Sequence, residues 1–242
     1  MPHKYQLLCS RIPAIFYDLD GTLADTEWHL YEIWVEMMAA YGRVFTLEDY
    51  LGVIGTPEDE KVPEVLKTFG IAEDPKAFYG RFQGFLKARL LAGLKPMPGA
   101  EESLKKSHAT GAPIGLVTSA TAWHAEHALE TLGFKGYFYP GTRVTAETPG
   151  LTRRKPHPEP YLLAAKLMHV RPGGCVVFED SVQGAKAARM AGMLVVGVPH
   201  RLSPREKLEE VAHYVIPEGK TIADFAFTDI RNIDIMLPRG SR

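Results

Sequence analysis

The sequence has few cysteines and no surplus of charge of either sign. Its two cysteines are too few for a disulfide framework, and Cys175 lies in an apolar run that predicts a core position. Lys and Arg number 28 against 29 Asp and Glu, so the charge balance does not favour binding to nucleic acid or to an anionic membrane surface. We therefore expect neither of these as a partner.

Long apolar runs are also missing. None approaches the about 20 residues that a helix needs to cross a bilayer. Residues 1–13 lack the apolar segment of a secretion signal, so we expect a cytoplasmic protein. The last residues, 237–242, resemble the remnant of a protease site and are left out of the fold prediction. Nothing in the sequence indicates an oligomeric state, and a monomer is compatible with it.

What the sequence does contain is an alternation of short apolar strands with helices. Strands are predicted at 14–17, 114–117, 175–178 and 194–198, with a weaker one at 214–216 and a further short one at 137–139. Strands that alternate with helices imply a parallel sheet with right-handed crossovers, which is a doubly wound α/β fold.

A helical segment interrupts this alternation directly after the first strand. Residues 26–94 show only helical patterns, with Thr26 as a candidate N-cap and Pro57 at the first position of a later helix. A run rich in proline and glycine, 95–99, follows as a hinge. We predict a core domain of residues 1–25 and 95–242 and a helical cap domain of residues 26–94. Four cap aromatics are expected to pack between helices: Phe78, Tyr79, Phe82 and Phe85.

Polar residues follow three of the predicted strands at the point where each strand ends. Asp18 and Asp20 come after the first, and Gly21 permits a sharp turn there. The other two strands deliver the pairs Thr118/Ser119 and Glu179/Asp180, and Lys155 stands before a further helix. Ligand sites of open α/β sheets lie at the carboxyl ends of strands, so these residues are expected to meet.

Together these residue types suit phosphoryl transfer. Asp18, Asp20 and Asp180 would supply oxygen ligands for Mg²⁺. A phosphate would be bound by Thr118, Ser119 and Lys155. Asp18 could attack phosphorus, while Asp20 could protonate the leaving oxygen and later deprotonate a water.

These motifs resemble those of the haloacid dehalogenase superfamily, in its phosphatase and phosphomutase branch with a helical cap. They are residues 18–22 (DLDGT), 117–119 (VTS), 155–159 (KPHPE) and 178–188 (FEDSVQGAKAA), and the resemblance covers residues 14–216. The resemblance implies that Asp18 accepts the phosphoryl group, with Asp20 as the acid/base. It also implies an Mg²⁺ held by Asp18, the Asp20 carbonyl and Asp180, with Glu179 as a second ligand or outer partner.

The cap sequence favours a phosphatase over a β-phosphoglucomutase. The mutase type has a histidine where Leu30 stands here, and His29 is one position off. It also has an arginine where alignment on Gly55 places Glu58, and an acidic residue should not welcome a second phosphate. The leading hypothesis is a Mg²⁺-dependent phosphatase acting on a small phosphate ester. A sugar phosphomutase is the rival, and a phosphate sensor or receiver-like module is a third reading.

Further candidates for substrate contacts surround these motifs. Gly55, Trp28 and His29 belong to the cap or its entrance, while Trp123 and His124 follow the second motif. For the pair His124 and His127 we favour a position on a helix surface near the mouth of the cleft. A packing role is expected for His157, and solvated positions are expected for Arg153 and Arg154.

Overall fold

The chain folds around one parallel β-sheet. The structure is a computed structural model that describes residues 12–138, 141–203 and 205–228, so the possible protease-site remnant lies outside it. The sheet has the strand order β3-β2-β1-β4-β5-β6, and every pairing is parallel. The strands are β1 (Ile15–Tyr17), β2 (Ile114–Val117), β3 (Arg143–Val144), β4 (Val176–Glu179), β5 (Leu194–Gly197) and β6 (Tyr214–Val215).

Four helices occupy the chain between β1 and the first helix of the sheet region. They are α1 (Glu27–Ala39), α2 (Leu47–Val53), α3 (Glu58–Thr68) and α4 (Pro75–Ala92). They share an apolar cluster of their own, at whose centre the buried Trp34 ring lies 5.4 Å from the rings of Phe45 and Phe82. Phe78 and Phe82 are fully buried, as predicted, whereas Phe85 is 37% exposed.

The remaining helices cover both faces of the sheet. They are α5 (Ala100–Ala109), α6 (Ala122–Thr131), α7 (Glu159–Leu167), α8 (Val182–Met190) and α9 (Arg205–Glu209). Ile15 and Tyr17 point to the cluster shared with α5 and α6, while Phe16 points to the cluster shared with α7 and α8. Both faces of β1 are therefore dry, and the predicted doubly wound α/β class is confirmed.

The register of the central strands sets the position of the polar residues. Tyr17 is level with Leu116 of β2 and with Phe178 of β4. The residues that follow these strands consequently emerge side by side at one edge of the sheet. The surface that these residues form with Lys155 at the carboxyl ends of the strands is called the sheet wall. The surface of α1, α3 and α4 opposite it is called the helical wall.

The two connections to the helical segment run next to each other. Ala24 and Pro96 form an isolated antiparallel bridge. The Asp25 N–H donates to the Lys95 carbonyl at 2.9 Å, and the Met97 N–H donates to the Leu23 carbonyl at 2.9 Å. The chain therefore leaves the sheet region and returns to it at the same place.

Several local predictions were wrong. No strand forms at residues 137–138: Lys135–Tyr137 is a 3₁₀ turn, and Tyr139 lies outside the described residues. The aromatic rings there dock on neighbouring side chains, with Tyr137 edge-on to His108, and the edge strand is Arg143–Val144 instead. Pro57 is the N-cap of α3 rather than its first helical residue.

Within the described ranges, every helix is too short or too polar to cross a bilayer.

Candidate active site

Asp18 and Asp20 follow β1 on either side of Leu19. Asp18 is only 7% exposed, and its backbone N–H donates to the Phe178 carbonyl at 3.0 Å. Gly21 next turns with a φ of 74°, and a Cβ there would lie 2.3 Å from Asp180 Oδ2. Only glycine therefore allows the chain to turn this close to Asp180.

Lys155 lies at the centre of the sheet wall. Its buried Nζ donates to Asp18 Oδ1 at 2.6 Å, to Glu179 Oε1 at 2.5 Å and to the Val117 carbonyl at 2.9 Å. Burial by itself would lower the pKa of Lys155, but the Asp18 and Glu179 carboxylates outweigh it and raise that pKa above its ordinary value. The ammonium is therefore charged and fixed against Asp18.

Glu179 is fully buried and uses both of its oxygens within the protein. Oε1 accepts from Lys155 and from the Tyr161 hydroxyl at 2.9 Å, and Oε2 accepts from the Ser181 N–H at 3.1 Å and its hydroxyl at 2.9 Å. A Cβ at Gly184 would lie 1.7 Å from Oε1, so the start of α8 must carry a glycine to pass this carboxylate. These bonds favour Glu179 as an outer partner that orients Lys155.

Asp180 is held from three sides. Its Oδ1 accepts from the Thr22 hydroxyl at 3.3 Å, and its backbone carbonyl accepts from the Ser203 hydroxyl. His200 Nδ1 accepts the Leu202 N–H, so its Nε2 carries the proton and donates to Asp180 Oδ2 at 2.9 Å. Burial, together with the neighbouring Glu179 charge, raises the pKa of Asp180 well above its ordinary value.

These carboxylates fit a divalent cation. Oxygens of Asp18, Glu179 and Asp180 lie within 4.8 Å of one another, and all three residues are buried. Burial raises the pKa of Asp18 despite the nearby Lys155, and repulsion from Glu179 and Asp180 adds to it. Three buried carboxylates against one lysine leave negative charge uncompensated, and a hard cation with oxygen ligands would balance it.

Asp20 has two partners of its own. Thr26 is the N-cap residue of α1, as predicted, but its hydroxyl donates to Asp20 Oδ1 and makes no capping hydrogen bond to the helix. His124 Nε2 lies 3.1 Å from the same oxygen. Burial by itself would raise the pKa of Asp20 and lower that of His124. The attraction between the two groups outweighs burial, so the pKa of Asp20 is lowered and that of His124 is raised. The predicted surface position of His124 was wrong, because the ring is 4% exposed.

Thr118 and Ser119 lie at the end of β2, beside Lys155. The Thr118 hydroxyl accepts the Ala120 N–H at 3.0 Å, and its own N–H donates to the Val144 carbonyl at 2.9 Å. The Thr121 side chain then caps α6 by accepting the His124 N–H. Both hydroxyl residues border the same cavity as Asp18, so the structure brings together all the residues expected to bind phosphate.

A cavity of about 260 Å³ separates the sheet wall from the helical wall. The sheet wall contributes Asp18, Asp20, Thr118, Lys155 and Asp180. The helical wall and its loops contribute Glu27, Leu30, Gly55, Glu58, Lys61, Tyr79, Gln83 and Leu86. Polar chemistry on one side thus faces a mixed surface on the other, with room between them for a small molecule.

Some predicted contacts do not border this cavity. Trp28 donates its Nε1–H to Glu32 and lies under Arg201, while Trp123 is 40% exposed and stacks on His127. Neither they nor His29 lie among the described lining residues, whereas Gly55 and His124 do. The rings of Trp28 and Trp123 pack against neighbouring side chains outside the cavity.

The expected solvation of the two arginines before Lys155 holds for Arg153 and is wrong for Arg154. Arg153 is exposed. Arg154 Nη1 lies 2.5 Å from Asp59 Oδ1 of α3, and this ion pair joins the two walls.

Other lining or supporting residues escaped the sequence reasoning. His200 stands just beyond β5, so the strand-end rule that found Asp18 would also have found it. Lys61 and Glu27 lie within helices, where no local signal marks them. Burial raises the pKa of Glu27 to about 7, with the Tyr50 hydroxyl donating to it at 2.6 Å.

Comparison with known proteins agrees with this geometry. Residues 15–198 match the model of the haloacid dehalogenase-like hydrolases. A phosphorylated carbohydrates phosphatase of Thermotoga maritima is 31% identical over 86% of this chain and 95% of its own length. The fructose-1-phosphate phosphatase YqaB of Escherichia coli is also 31% identical, over 78% of this chain and 97% of its own.

Solved structures show the same fold. A β-phosphoglucomutase of Clostridium difficile superposes with a TM-score of 0.77, at 24% identity over 91% of this chain and 96% of its own. At that identity the likeness concerns architecture alone. With the family match and the two relatives, the result is plain: the chain belongs to the haloacid dehalogenase-like hydrolases, as its motifs predicted.

Proposed function

We propose that this protein is a Mg²⁺-dependent phosphatase that hydrolyses a small phosphorylated metabolite, such as a sugar phosphate, through an aspartyl-phosphate on Asp18. The predicted reaction class, hydrolysis of a phosphoric monoester, is confirmed by its family and its phosphatase relatives. The observation that carries the assignment is the buried Lys155–Asp18 contact of 2.6 Å at the edge of a carboxylate cluster.

Asp18 acts as the nucleophile in this proposal. Lys155 holds one carboxylate oxygen and supplies a positive charge beside the phosphoryl group, whose transfer depends mainly on positioning and charge stabilisation. The hydroxyls of Thr118 and Ser119 bind phosphate oxygens. Attack on phosphorus places the phosphoryl group on Asp18, and water then releases it as inorganic phosphate.

Asp20 moves the proton. Thr26 and His124 both contact Oδ1 of Asp20, which fixes the carboxyl group toward the cavity. In the first half-reaction Asp20 would pass to the leaving oxygen the proton that it shares with His124, and in the second it would take one from water. A phosphate ester needs this proton because an alkoxide is a poor leaving group.

Asp18, the Asp20 carbonyl and Asp180 would hold Mg²⁺. Glu179 would be an outer partner that orients Lys155. When bound, the ion would neutralise these carboxylates and the charge on the transferring phosphoryl group.

The core would comprise residues 1–25 and 95–242, and residues 26–94 would form a cap that excludes water from the site. The expected cytoplasmic location stays a prediction.

A mutase is the weaker alternative. The positions that would distinguish it, Leu30 and Glu58, both line the cavity and carry an apolar and an acidic side chain. A phosphate sensor or receiver-like module has no support from the relatives, which are named phosphatases.

The test is release of inorganic phosphate from 4-nitrophenyl phosphate and from a panel of sugar phosphates, with and without Mg²⁺. Asp18→Asn should lower the rate at least about a thousandfold because the nucleophile is lost. Asp20→Asn should slow both formation and hydrolysis of the phosphoenzyme. Hydrolysis of no ester in the panel would refute the phosphatase. Conversion of β-glucose 1-phosphate to glucose 6-phosphate without phosphate release would establish the mutase.

A further inference from the structure

Lys61 is a buried lysine that the proposed mechanism does not use. Its side chain is 2% exposed, and its Nζ donates to Glu58 Oε1 at 2.6 Å, one helical turn earlier in α3. The Tyr50 ring centroid lies 5.2 Å from the same Nζ. Lysines are rarely buried to this degree, because removing the ammonium from water is costly even when it is paired. The burial of Lys61 therefore indicates a specific role for its ammonium group.

Glu58 is held from its other side by the interior of the helical segment. Its Oε2 accepts the Trp34 Nε1–H at 2.8 Å, and the Trp34 ring is itself fully buried between Phe45, Phe78 and Phe82. The carboxylate is thus fixed at both oxygens. Because Lys61 is fixed by that carboxylate, the two side chains form a rigid pair.

This pair borders the cavity that also contains Asp18 and Lys155. The cavity is smaller than the about 300–1,000 Å³ typical of sites for drug-sized ligands. A phosphate bound at Asp18 would thus place the organic part of its ester against the helical wall. Each Glu58 oxygen keeps a lone pair, and one of the three Lys61 N–H groups is used by Glu58, so the pair still has acceptors and donors to offer.

The described residues that line the cavity carry more negative than positive charge, and none of their positive charges is unpaired. Every lysine and arginine among the described lining residues has a carboxylate partner within 2.6 Å: Lys61 with Glu58, Arg154 with Asp59, and Lys155 with Asp18. Tyr79 and Gln83 add neutral polar groups to the same wall. The helical wall thus has no spare positive charge with which to bind a second phosphate.

We propose that Glu58 and Lys61 determine specificity by hydrogen-bonding neighbouring hydroxyl groups of the substrate. Glu58 accepts from one hydroxyl while Lys61 donates to the next. The pair thereby selects monophosphates of polyols or sugars over esters without hydroxyls and over bisphosphates. This inference rests on the proposed phosphatase function, and it names the part of the substrate that the helical wall recognises.

The experiment measures kcat/KM for fructose 1-phosphate, fructose 1,6-bisphosphate and 4-nitrophenyl phosphate, the last of which has no hydroxyl groups to offer the pair. The sugar monophosphate that the wild type hydrolyses best replaces fructose 1-phosphate if the panel finds a better one, with its bisphosphate alongside. The variants are Glu58→Gln, Lys61→Met and the double variant, which leaves neither charge unpaired. Glu64→Gln and Lys67→Met are the matched controls, because both residues are exposed on the same helix.

Lys61→Met and the double variant should lose about 10- to 100-fold in kcat/KM for the sugar monophosphate, mostly in KM, and change about twofold or less for 4-nitrophenyl phosphate. Glu58→Gln frees the Lys61 charge, so the ratio of bisphosphate to monophosphate activity should rise in that variant alone. The two control variants should match the wild type with all three esters.

Equal losses with sugar and aryl esters in the folded double variant would overturn the proposal, as would an unchanged bisphosphate ratio in Glu58→Gln. Either result leaves the phosphatase assignment standing, since the wild type would still release phosphate. If the wild type releases none from any ester, it is the proposed function that fails.

Discussion

The two walls of the cavity hold their charges by different means. On the sheet wall, Lys155 meets Asp18 across 137 positions of sequence, so the contact exists only when β1, β2 and β4 are assembled. On the helical wall, Glu58 and Lys61 meet within one turn of α3. The first contact depends on the whole fold, whereas the second needs one helix and the Trp34 ring behind it.

With the proposed roles of the two walls, this difference would separate reaction from selectivity. A substitution on the sheet wall leaves buried charges unpaired and affects every substrate. A substitution on the helical wall changes one local pair and leaves the reacting groups in place. A family built in this way can keep one reaction while its substrates vary, and each experiment below acts on one wall or on the contact between them.

Lys155→Met should have the largest effect, a loss of stability, because it removes the central cation of the sheet wall. Asp18 and Glu179 would both lose their cation in a buried site, which costs about 3–5 kcal/mol of the free energy of unfolding. Urea denaturation with EDTA present measures this loss. Lys166→Met is the control, because Lys166 is exposed on α7. Equal stability of the two variants would show that the buried carboxylates tolerate the loss of Lys155.

His200→Ala should weaken the sheet wall more selectively. His200 fixes Asp180 through a 2.9 Å contact, and partners of metal ligands of this kind contribute about 10- to 100-fold to metal affinity. Calorimetric titration with Mg²⁺ measures the change. His108→Ala on the exposed side of α5 should bind the ion like the wild type. An unaltered Mg²⁺ affinity in His200→Ala would show that His200 does not orient Asp180 for metal binding.

Arg154→Gln should loosen the contact between the walls, with the smallest effect. The ion pair with Asp59 is partly exposed, so its contribution is about 0.2–1 kcal/mol, which corresponds to a rise in KM of up to about fivefold. The exposed neighbour Arg153→Gln is the control. Asp59→Asn should have no additional effect in the Arg154→Gln background. Additive effects of the two substitutions would mean that the residues act independently.

The sheet wall could be predicted from sequence, whereas the helical wall could be predicted only at Leu30, Gly55 and Glu58, which the resemblance had placed near the substrate. Asp18, Thr118 and Asp180 each follow an apolar run, and parallel strands bring such positions together whatever the intervening chain does. The contacts of the Thr26 hydroxyl and the His124 ring with Asp20 were missed, because helix patterns do not reveal which polar side chain turns toward that carboxylate.

Lys61 shows the limit most clearly. It stands in the same helix as Lys67, yet Lys61 is buried and Lys67 is exposed. The difference arises from the Glu58–Trp34 contact, which depends on how α1 packs against α3. The edge strand was missed for a related reason, since the aromatic residues at 137–138 pack on their neighbours instead of pairing.

The paired connections at Ala24 and Pro96 have a consequence for how such a protein can change over time. Because the Leu23 carbonyl already accepts the Met97 N–H, the two ends of the sheet region lie a hydrogen bond apart. A tight turn would suffice to join them if the intervening helices were deleted, and a different insert could be attached at the same two points. Recombination at this junction could therefore exchange the part that chooses the substrate while every strand of the sheet keeps its register.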